Sequence, residues 1–460
     1  MIKKNAKHII EIKEATAKGF GLGYIGDFVI FVADGLPGDV IDTIIVKVKK
    51  TYGYGKISQI ITPSPHRIKS PCAVSEQCGG CQWQHCDYEA QLKFKKQIVV
   101  NALEKIGGIK NPPVNDVIGM ENPTRYRNKA VFPVVPAKNK AGFAVGMYAP
   151  RSHRIIEITD CSIQHIAHVD VLAAVKKHMR KYKISAYDET THKGLMRHII
   201  VRTSLATGEV MVVLVLNGKK LPAAAPLVEE LTDQGVTTVL INENTTKGNT
   251  IMGESFQTLS GTGYIHEKTG EVEYRLSAPS FFQINPVQTK VLYETALSQA
   301  GLDGTQYVVD AHCGVGSIAL FAAKHARHVL GVDIVAPAVE DAKKNAELNG
   351  IKNAEFICGA AEEVIPRLMQ SGEITPDVVF LDPPRKGCEK PLLHALCKAF
   401  GQKNIIYVSC DPATLARDVK ILTEGGYTLV TAQPVDMFPH TGKVETSALL
   451  RRCDTRTFSK

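Results

Sequence analysis

The chain has 460 residues, of which 44% are apolar and 22% charged, and its formal net charge at pH 7 is +9. This length predicts several domains, and the composition is that of a globular protein without repeats or low-complexity tracts. No apolar run approaches the roughly 18 residues of a membrane span. The basic N-terminus does not lead into a signal-peptide core, so we expect a cytoplasmic protein with no membrane partner. The positive charge favours a polyanionic partner such as a nucleic acid.

The first 65 residues contain short strands that alternate apolar and polar residues and are separated by Gly and Pro turns. This pattern predicts a small β-barrel over residues 1–65. Five-stranded barrels of this kind often bind oligonucleotides, and Lys47, Lys49 and Lys50 would give one face a positive stripe. The alternative is that these lysines only protect an exposed strand edge from aggregation.

A group of cysteines follows the barrel. Cys72, Cys78, Cys81 and Cys86 crowd together, and Cys161 stands far from them. In a long cytoplasmic chain such a group is not a disulfide framework. Four thiolates suit either zinc or an iron–sulfur cluster, and spacing alone does not decide between them. Residues 66–275 carry mostly strand patterns and predict a β-rich central domain. A helical stretch near residues 88–125 could instead pack on the domain that follows.

Two segments of the central domain interleave arginines with aromatic or apolar residues, Arg125–Lys129 and Leu195–Arg202. Such mixtures fit the bases and phosphates of single-stranded RNA. The alternative is that they are ordinary strand edges with solvated charges. The sequence leaves both interpretations open.

From about residue 276, strands alternate with helices, which predicts a doubly wound α/β sheet over residues 276–460. No helix separates the last two predicted strands, so these should form an antiparallel hairpin. The predicted strands are Tyr307–Asp310, His328–Asp333, Glu355–Cys358, Asp377–Asp382, Asn404–Cys410, Thr428–Val435 and Glu445–Arg451.

A candidate nucleotide site begins at the first of these strands, where a strand, a glycine turn and a helix follow one another in Val308–Ala319. Asp333 ends the next strand and could accept both hydroxyls of a ribose. The Gly-x-Gly turn alone is a weak signal that also suits NAD. However, Asp310 could face a cationic amino-acid ligand, and the Asp382-Pro383-Pro384 turn is typical of methyltransferases that act on nucleobases or amides. These features favour S-adenosylmethionine.

Cys410 is a candidate nucleophile. It ends the apolar run Ile405–Ser409 and is followed by Asp411-Pro412, so the thiol lies at the carboxyl end of a strand. Ligands bind at that edge of open α/β sheets, and Asp382 ends a neighbouring strand in the same way. Taken alone, Cys410 could equally be a buried small hydrophobe.

Together these motifs resemble the RNA (uracil-5-)-methyltransferases, specifically their iron–sulfur branch that modifies 23S rRNA, over nearly the whole chain. The resemblance implies a Rossmann-like class I methyltransferase domain, a TRAM-like RNA-binding barrel (related to OB-folds) and an iron–sulfur central domain. It rests on the segments Ser280–Asn285 (SFFQIN), Asp310–Gly316 (DAHCGVG), Leu381–Gly387 (LDPPRKG), Tyr407–Pro412 (YVSCDP) and Val444–Thr446 (VET).

The family chemistry implies roles for the matching residues. Uracil C5 is a weak nucleophile until a thiolate adds to C6, so Cys410 matches the nucleophile and Glu445 the base that removes the C5 proton. The remaining matches hold the cofactor or orient the base. They are Gln283, Asp333, Asp382 and His312, where His312 replaces the usual Tyr or Phe and Asp333 is shorter than the usual Glu. Phe281 and Phe282 could stack on a flipped uracil or simply pack in the core.

The resemblance also implies that Cys72, Cys78, Cys81 and Cys161 hold a [4Fe-4S] cluster, which we interpret as a structural clamp beside the RNA. Cys86 falls outside this pattern. The implied substrate is a uridine of 23S rRNA, with the tRNA T-loop uridine as the alternative. The usual bacterial tRNA enzymes lack the barrel and the cysteines, although some cluster-bearing relatives act on tRNA. A non-catalytic ribosome-assembly protein is the alternative from another class, and no obligate protein partner is implied.

Overall fold

The structure is a computed structural model that describes residues 2–398 and 404–453. Its N-terminal part is a closed five-stranded barrel with strand order β1-β2-β3-β5-β4, which confirms the predicted barrel. Side chains alternate across each strand, so a small set of isoleucines and valines fills the interior, including Ile12, Ile30 and Val32. The strands are β1 (Lys7–Ala15), β2 (Gly21–Ile25), β3 (Phe28–Val32), β4 (Val40–Val48) and β5 (Tyr52–Thr62).

A helix, α1 (Tyr88–Lys105), separates the barrel from the central sheet. The central sheet has seven strands in the order β12-β11-β10-β9-β6-β7-β8. Two helices accompany it, and β10 and β11 are parallel, so this region is mixed α/β rather than purely β-rich. Its elements are β6 (Lys129–Pro136), β7 (Phe143–Tyr148), β8 (Ile155–Glu157), α2 (His168–Lys181), β9 (Met196–Thr203), β10 (Val210–Leu216), α3 (Ala224–Asp233), β11 (Thr238–Glu243) and β12 (Ser255–Ser260).

A two-stranded hairpin, β13 (Tyr264–Thr269) and β14 (Val272–Ser277), joins the central sheet to the last domain. The predicted boundary at residue 275 falls inside this hairpin. Tyr274 is fully buried, and its hydroxyl donates to the Ser317 carbonyl of the last domain at 2.8 Å. The hairpin therefore belongs to the packing of both regions.

The C-terminal domain is a seven-stranded sheet in the order β17-β16-β15-β18-β19-β21-β20. Its strands are parallel except β21, which runs antiparallel to β19 and β20, so the predicted doubly wound sheet with a final hairpin is confirmed. Its elements are α4 (Pro286–Ala300), β15 (Tyr307–Asp310), α5 (Ser317–Ala323), β16 (His328–Asp333), α6 (Ala336–Leu348), β17 (Ala354–Cys358), α7 (Ala361–Gln370), β18 (Val378–Leu381), α8 (Lys390–Lys398), β19 (Asn404–Ser409), α9 (Pro412–Glu424), β20 (Tyr427–Val435) and β21 (Glu445–Arg452).

Helix α1 packs against α9 of this C-terminal sheet. Asp87 caps the helix by accepting the Ala90 N–H at 2.8 Å, which satisfies one of the free amides of its first turn. The chain that follows runs parallel to β20 through bridges from Val114 to Ala432 and from Ile118 to Val435. Within the described part of the chain, no helix is both long and apolar enough to cross a membrane.

Candidate active site

The carboxyl edge of the C-terminal sheet collects the acidic and thiol side chains that the sequence singles out. Asp310 and Asp333 end β15 and β16, while Asp382 and Cys410 directly follow β18 and β19. Glu445 begins β21, and because β21 runs antiparallel, its first residue lies at this same edge. The topology therefore brings all five residues to one crevice.

Cys410 and Glu445 face each other across neighbouring strands. Ser409 pairs with Thr446, so the same register extended by one residue places Cys410 opposite Glu445. Burial, together with the nearby carboxyls of Glu445 and Asp382, raises the pKa of the Cys410 thiol to about 11. The thiol is thus protonated at neutral pH and needs a base before it can act as a nucleophile.

Three carboxyl groups of the crevice hold their protons unusually strongly. Burial raises the pKa of Glu445 to about 8, with a further contribution from Asp382. Burial also raises the pKa of Asp382 to about 7 and that of Asp310 to about 7. Since like charges in a desolvated site resist joint ionisation, the group is suited to moving protons near neutral pH.

Cationic side chains surround this acidic group. Arg385 opposes the pKa increase of both Cys410 and Glu445, and Lys443 opposes that of Glu445. The pKa of Lys443 is lowered by loss of hydration and by its neighbours Arg385 and Arg127. The three cations therefore lie near one another and near the thiol site, where they can meet negative charge on a substrate.

The site has unfilled bonding capacity for a cationic, hydroxyl-bearing ligand such as S-adenosylmethionine. Oδ2 of the buried Asp310 has no hydrogen-bond partner within the described chain, and neither has Nδ1 of His312. Asp333 already accepts the N–H groups of Gly314 and Val335, at 2.9 and 2.8 Å, which orients its carboxylate at the strand end. Gly314 adopts φ +54°, and a Cβ there would meet nothing within 4 Å, so this side of the turn is open to a ligand.

The pKa of His312 is lowered to about 4 by burial, so its ring is neutral and can pack against an uncharged adenosine. Gln283 lies in the loop before α4 and is mostly buried. Its own carbonyl accepts from Asn128 at 3.1 Å, and two residues later Asn285 donates to the Met437 carbonyl at 3.2 Å. The Gln283 loop is therefore fastened to the segment that precedes Glu445.

That segment, Asp436–Thr441, is anchored to α1 by a buried ion pair. Lys95 Nζ donates to Asp436 Oδ1 at 2.5 Å and to the Phe438 carbonyl at 3.0 Å, and both charged side chains are fully buried. Tyr88 also donates its hydroxyl to Asp436, at 2.9 Å. Because a buried charge is costly without its partner, the pair fixes α1 to this segment.

The cysteine segment contacts the same connection. The N–H groups of Gln82 and Trp83 both donate to the His440 carbonyl, at 3.0 and 2.9 Å. His440 has φ +65°, a conformation that non-glycine residues seldom adopt. The chain next to Cys81 thus lies only a few residues from Lys443 and Glu445.

The four predicted cluster cysteines meet in space. The pKa of the Cys81 thiol is raised to about 12 by burial and by the neighbouring Cys161, Cys78 and Cys72. Their sulfurs also receive N–H groups, from Gly80 to Cys78 at 3.4 Å and from the Gln84 side chain to Cys81 at 3.5 Å. Among the described residues, no three His, Cys, Asp or Glu side chains are gathered closely enough to hold a metal ion. Cys86 is buried in the core beside Trp83 instead.

The structure decides two questions that the sequence left open. Arg197 and Arg202 are buried and donate to the backbone carbonyls of Asn244 and Ser277, at 2.7 and 2.8 Å. They therefore link segments within the core and cannot contact RNA. Phe282 also lies in the core, with its ring 5.2 Å from that of Tyr274. Phe281 is 70% exposed and remains available for stacking.

Several residues of the site escaped the sequence analysis. Arg385 was inside a quoted motif, and Lys443 lies two residues before Glu445, so both had a local signal. Arg127 comes from a distant part of the chain. Tyr293, buried on α4, is close enough to Asp382 for the carboxyl to raise its pKa. No local pattern marks Tyr293, whereas Arg127 lies in the Arg125–Lys129 segment that the sequence indicated as a possible RNA contact.

Comparisons with known proteins agree with this geometry. A family model described as tRNA (Uracil-5-)-methyltransferase matches residues 87–453. An uncharacterized RNA methyltransferase of Clostridium tetani is 46% identical over 451 residues, which cover 98% of this chain and 97% of the relative. Another, from Clostridium acetobutylicum, is 44% identical and covers 98% of both chains.

A solved structure is similar over almost the whole chain. It is the Pyrococcus abyssi tRNA (uracil-54, C5)-methyltransferase in complex with S-adenosyl-L-homocysteine. The two chains are 26% identical with a TM-score of 0.75, and the match covers 97% of this chain and 100% of the other. The similarity therefore extends beyond the family model, into the barrel.

Proposed function

The chain belongs to the tRNA (uracil-5-)-methyltransferase family, and from that membership we propose that it methylates C5 of a uridine in 23S rRNA through a covalent bond to Cys410. The observation that carries this proposal is the position of Cys410 beside Glu445 at the ligand-binding edge, one residue beyond the Ser409–Thr446 pair of β19 and β21. S-adenosylmethionine, when bound, supplies an electrophilic methyl group. Asp310, Asp333, Gln283, Asp382 and His312 would hold it.

The chain's own residues then move one proton at the start of the reaction and another after the methyl transfer. The Cys410 thiol gives its proton to the shared carboxyls of Asp382 and Glu445, and the thiolate adds to uracil C6, which leaves an enolate at C5. Arg385 and Lys443 stabilise that negative charge. After C5 is methylated, Glu445 in its ionised form takes the C5 proton while the thiol's proton remains on Asp382, the C6–S bond breaks and the C5=C6 double bond returns. The freed thiolate then recovers a proton from Asp382, and Glu445 releases the C5 proton to solvent. With a pKa of about 8, Glu445 is basic enough for this step.

The proposed substrate, 23S rRNA, has tRNA as a second candidate. The Pyrococcus protein acts on tRNA uracil-54 and matches this chain through the barrel, so the barrel does not by itself separate rRNA from tRNA enzymes. Mapping 5-methyluridine in both RNAs from cells that lack this protein separates the two. Loss of the modification from 23S rRNA alone supports the proposal, and loss from tRNA alone replaces it with the tRNA function.

The covalent step is tested by trapping. Wild-type protein, S-adenosylmethionine and RNA containing 5-fluorouridine should give an adduct that survives a denaturing gel, because fluorine at C5 cannot leave as a proton. Cys410→Ala should trap none. Cys397→Ala is the matched control, since Cys397 lies on α8 away from the crevice. Equal trapping by Cys410→Ala and wild type would show that another residue is the nucleophile.

The base is tested with ordinary RNA. Glu445→Gln keeps the size of the side chain but cannot accept a proton, so it should transfer the methyl group and then stall as a covalent complex on unmodified uridine. Turnover should fall by about 10²–10⁴-fold. Methyl-labelled cofactor on a denaturing gel measures both effects. If Glu445→Gln turns over like wild type and leaves no complex, Asp382 becomes the candidate base.

We also propose that Cys72, Cys78, Cys81 and Cys161 hold a [4Fe-4S] cluster with a structural role. Support comes from the mutual proximity of the thiols and from the N–H groups aimed at their sulfurs. Protein purified without oxygen should contain about four irons and four sulfides per chain. Cys86→Ala should keep them, because Cys86 lies in the core. Stoichiometric zinc without iron would replace the cluster with a zinc site.

A further inference from the structure

Asp418 on α9 is a fully buried carboxylate that the chemistry above does not use. Its Oδ2 accepts from the Tyr407 hydroxyl at 2.5 Å and from the Cys388 N–H at 2.8 Å. Its Oδ1 accepts from Nε of Arg417 at 2.7 Å. Because a buried carboxylate is stable only with donors around it, these bonds hold their elements in one arrangement. Asp418 therefore joins β19, α9 and the loop that follows β18.

Arg417 holds the same loop from the solvent side. Its side chain is 47% exposed, yet its Nη2 donates to the carbonyls of Lys386 and Cys388, at 2.9 and 3.3 Å. The planar guanidinium thus donates to the loop and to Asp418 at once, which the single ammonium group of a lysine cannot do. The packing is close here, since a Cβ at Gly387 would come 2.5 Å from both Arg417 Nη2 and Asp418 Oδ2. Only glycine leaves room for this contact.

The loop held in this way carries Arg385. It forms a tight turn in which the Gly387 N–H donates to the Pro384 carbonyl at 2.8 Å, and Arg385 follows Pro384. Arg385 is exposed, so its direction depends on the backbone of the turn more than on side-chain packing. Its charge reaches Cys410, since it opposes the rise in the pKa of that thiol. The turn therefore decides how close this cation lies to the sulfur.

Cys410 lies in the chain between the two residues that close onto each other. Tyr407 precedes the thiol on β19, and Asp418 follows it on α9, which begins at Pro412. The bond from the Tyr407 hydroxyl to Asp418 closes this strand, turn and helix into one unit. The same carboxylate then holds the unit against the loop that carries Arg385. Asp418 thus sets the separation of a thiol and a cation that come from different strands.

We propose that Arg417 and Asp418 are positioning residues, which hold Arg385 beside the Cys410 thiol and so promote thiolate attack without taking part in substrate binding. They act through Arg385, whose charge stabilises the thiolate and then the enolate at C5. The inference rests on the proposed function and deepens it, because it assigns a role in the reaction to two side chains of α9 outside the crevice.

Alkylation of Cys410 by iodoacetamide tests the proposal without RNA or cofactor. Below its pKa a thiol reacts in proportion to its thiolate fraction, so mass spectrometry of the Cys410 peptide across pH reports the ionisation of this thiol. Arg417→Ala and Asp418→Asn should each slow the reaction about tenfold at pH 8, the lower end of the effect of a lost neighbouring charge. In methylation, kcat should fall by a similar factor while KM for RNA stays unchanged.

The charged groups near the Cys410 thiol are two cations and three carboxyls. They are Arg385, Lys443, Glu445, Asp382 and Asp411. Arg417→Ala, Arg417→Lys and Asp418→Asn leave all five in the chain, so a slower reaction in these variants reports a change in their placement. Arg417→Lys also keeps the charge of Arg417 itself and loses only its fork of donors, so it should alkylate nearly as slowly as Arg417→Ala.

Arg452→Ala is the matched control. Arg452 also donates to two backbone carbonyls, those of Leu396 and Cys397 at 3.3 and 2.8 Å. These carbonyls belong to α8, and Arg452 ends β21 at the edge of the sheet opposite the crevice. The variant should lose some stability, and its Cys410 should alkylate at the wild-type rate.

The double variant Arg385→Ala/Arg417→Ala gives the sharper outcome. Arg385→Ala should slow alkylation by about the same factor as Arg417→Ala, and the double variant should be no slower, since Arg417 acts through Arg385. If Arg417→Ala alkylates like Arg452→Ala, if Arg417→Lys restores the wild-type rate, or if the two losses multiply, the positioning role is wrong. If Asp418→Asn does not fold, the half-exposed Arg417 decides the question alone. If the alkylation rates follow the expected pattern but wild type methylates no RNA, the proposed function fails and the placement of Arg385 by Arg417 stands.

Discussion

Two regions of the molecule hold thiols in similar surroundings but with different partners. Burial raises the pKa of Cys410 to about 11 and that of Cys81 to about 12, so neither thiol ionises by itself at neutral pH. The neighbours of Cys410 are two carboxyls and an arginine, whereas those of Cys81 are three further thiols and amide N–H groups. Carboxyls can accept and return a proton in each turnover. A group of buried thiols, by contrast, stays deprotonated only when a metal is bound to it. In the function that we propose, the partner and not the burial thus decides whether a thiol serves chemistry or structure.

The largest effect should come from exchanging sulfur for oxygen in both regions. Cys410→Ser should lower kcat by at least about 10⁴-fold, because the serine hydroxyl has no base strong enough to ionise it. Cys81→Ser should lose bound metal and thermal stability, and it should keep turnover within about 10–100-fold of wild type. Methyl transfer, iron content and Tm measure the three quantities. A folded Cys81→Ser protein as inactive as Cys410→Ser would place the cysteine group in the chemistry.

A buried ion pair lies between the two regions. Lys95→Met leaves Asp436 buried without its partner and should cost about 3–5 kcal/mol of stability. The double variant Lys95→Met/Asp436→Asn should recover most of that loss, because no charge remains uncompensated. Urea unfolding measures both.

Lys96→Met is the control for this prediction. Lys96, the residue after Lys95 on α1, pairs with the exposed Asp116, so its loss should lower stability far less than the loss of Lys95. If Lys95→Met is as mild as Lys96→Met, the buried pair does not fix α1 to the connection before Glu445.

The smallest expected effect is on the pH dependence of stability, and it comes from the crevice carboxyl Glu445 and not from a thiol. The pKa of Glu445 is raised from 4.5 to about 8, so the folded protein keeps a proton that the unfolded chain releases, and stability falls as pH rises between those values. Glu445→Gln has no such proton and should melt a few degrees above wild type at pH 9, with little difference at pH 4. Thermal melting at the two pH values checks this. A lower Tm for Glu445→Gln at pH 9 would mean that the carboxylate makes favourable contacts in the folded state.

Four of the site residues that the sequence predicted share one property, which is that each lies at the end of a strand. Asp310, Asp333, Asp382 and Cys410 end apolar runs, and parallel strands bring such ends to one edge, so a local pattern was sufficient. Arg127 and Tyr293 reach the site through tertiary packing and leave no such pattern.

The two questions that the sequence left open have one cause. The arginines on β9 could have been RNA contacts or solvated strand edges, but every residue of β9 is buried, so the strand has no solvent face. Alternation along a sequence shows which residues share a face, and it does not show whether that face meets water. For the same reason, the sequence does not show that Phe281 and Phe282, which are neighbours in the chain, differ strongly in exposure.

The hairpin that carries Glu445 also limits the insertions and deletions that this part of the chain can accept. Successive residues of a strand point to opposite faces, so inserting or deleting one residue between Asp436 and Val444 would put Val444 or Thr446 opposite Cys410. The connection is further held at His440 by the cysteine segment and at Gly442 by the barrel, which leaves little slack to absorb the change. Length variation during evolution should therefore accumulate in other loops of this chain, while this connection keeps a constant number of residues.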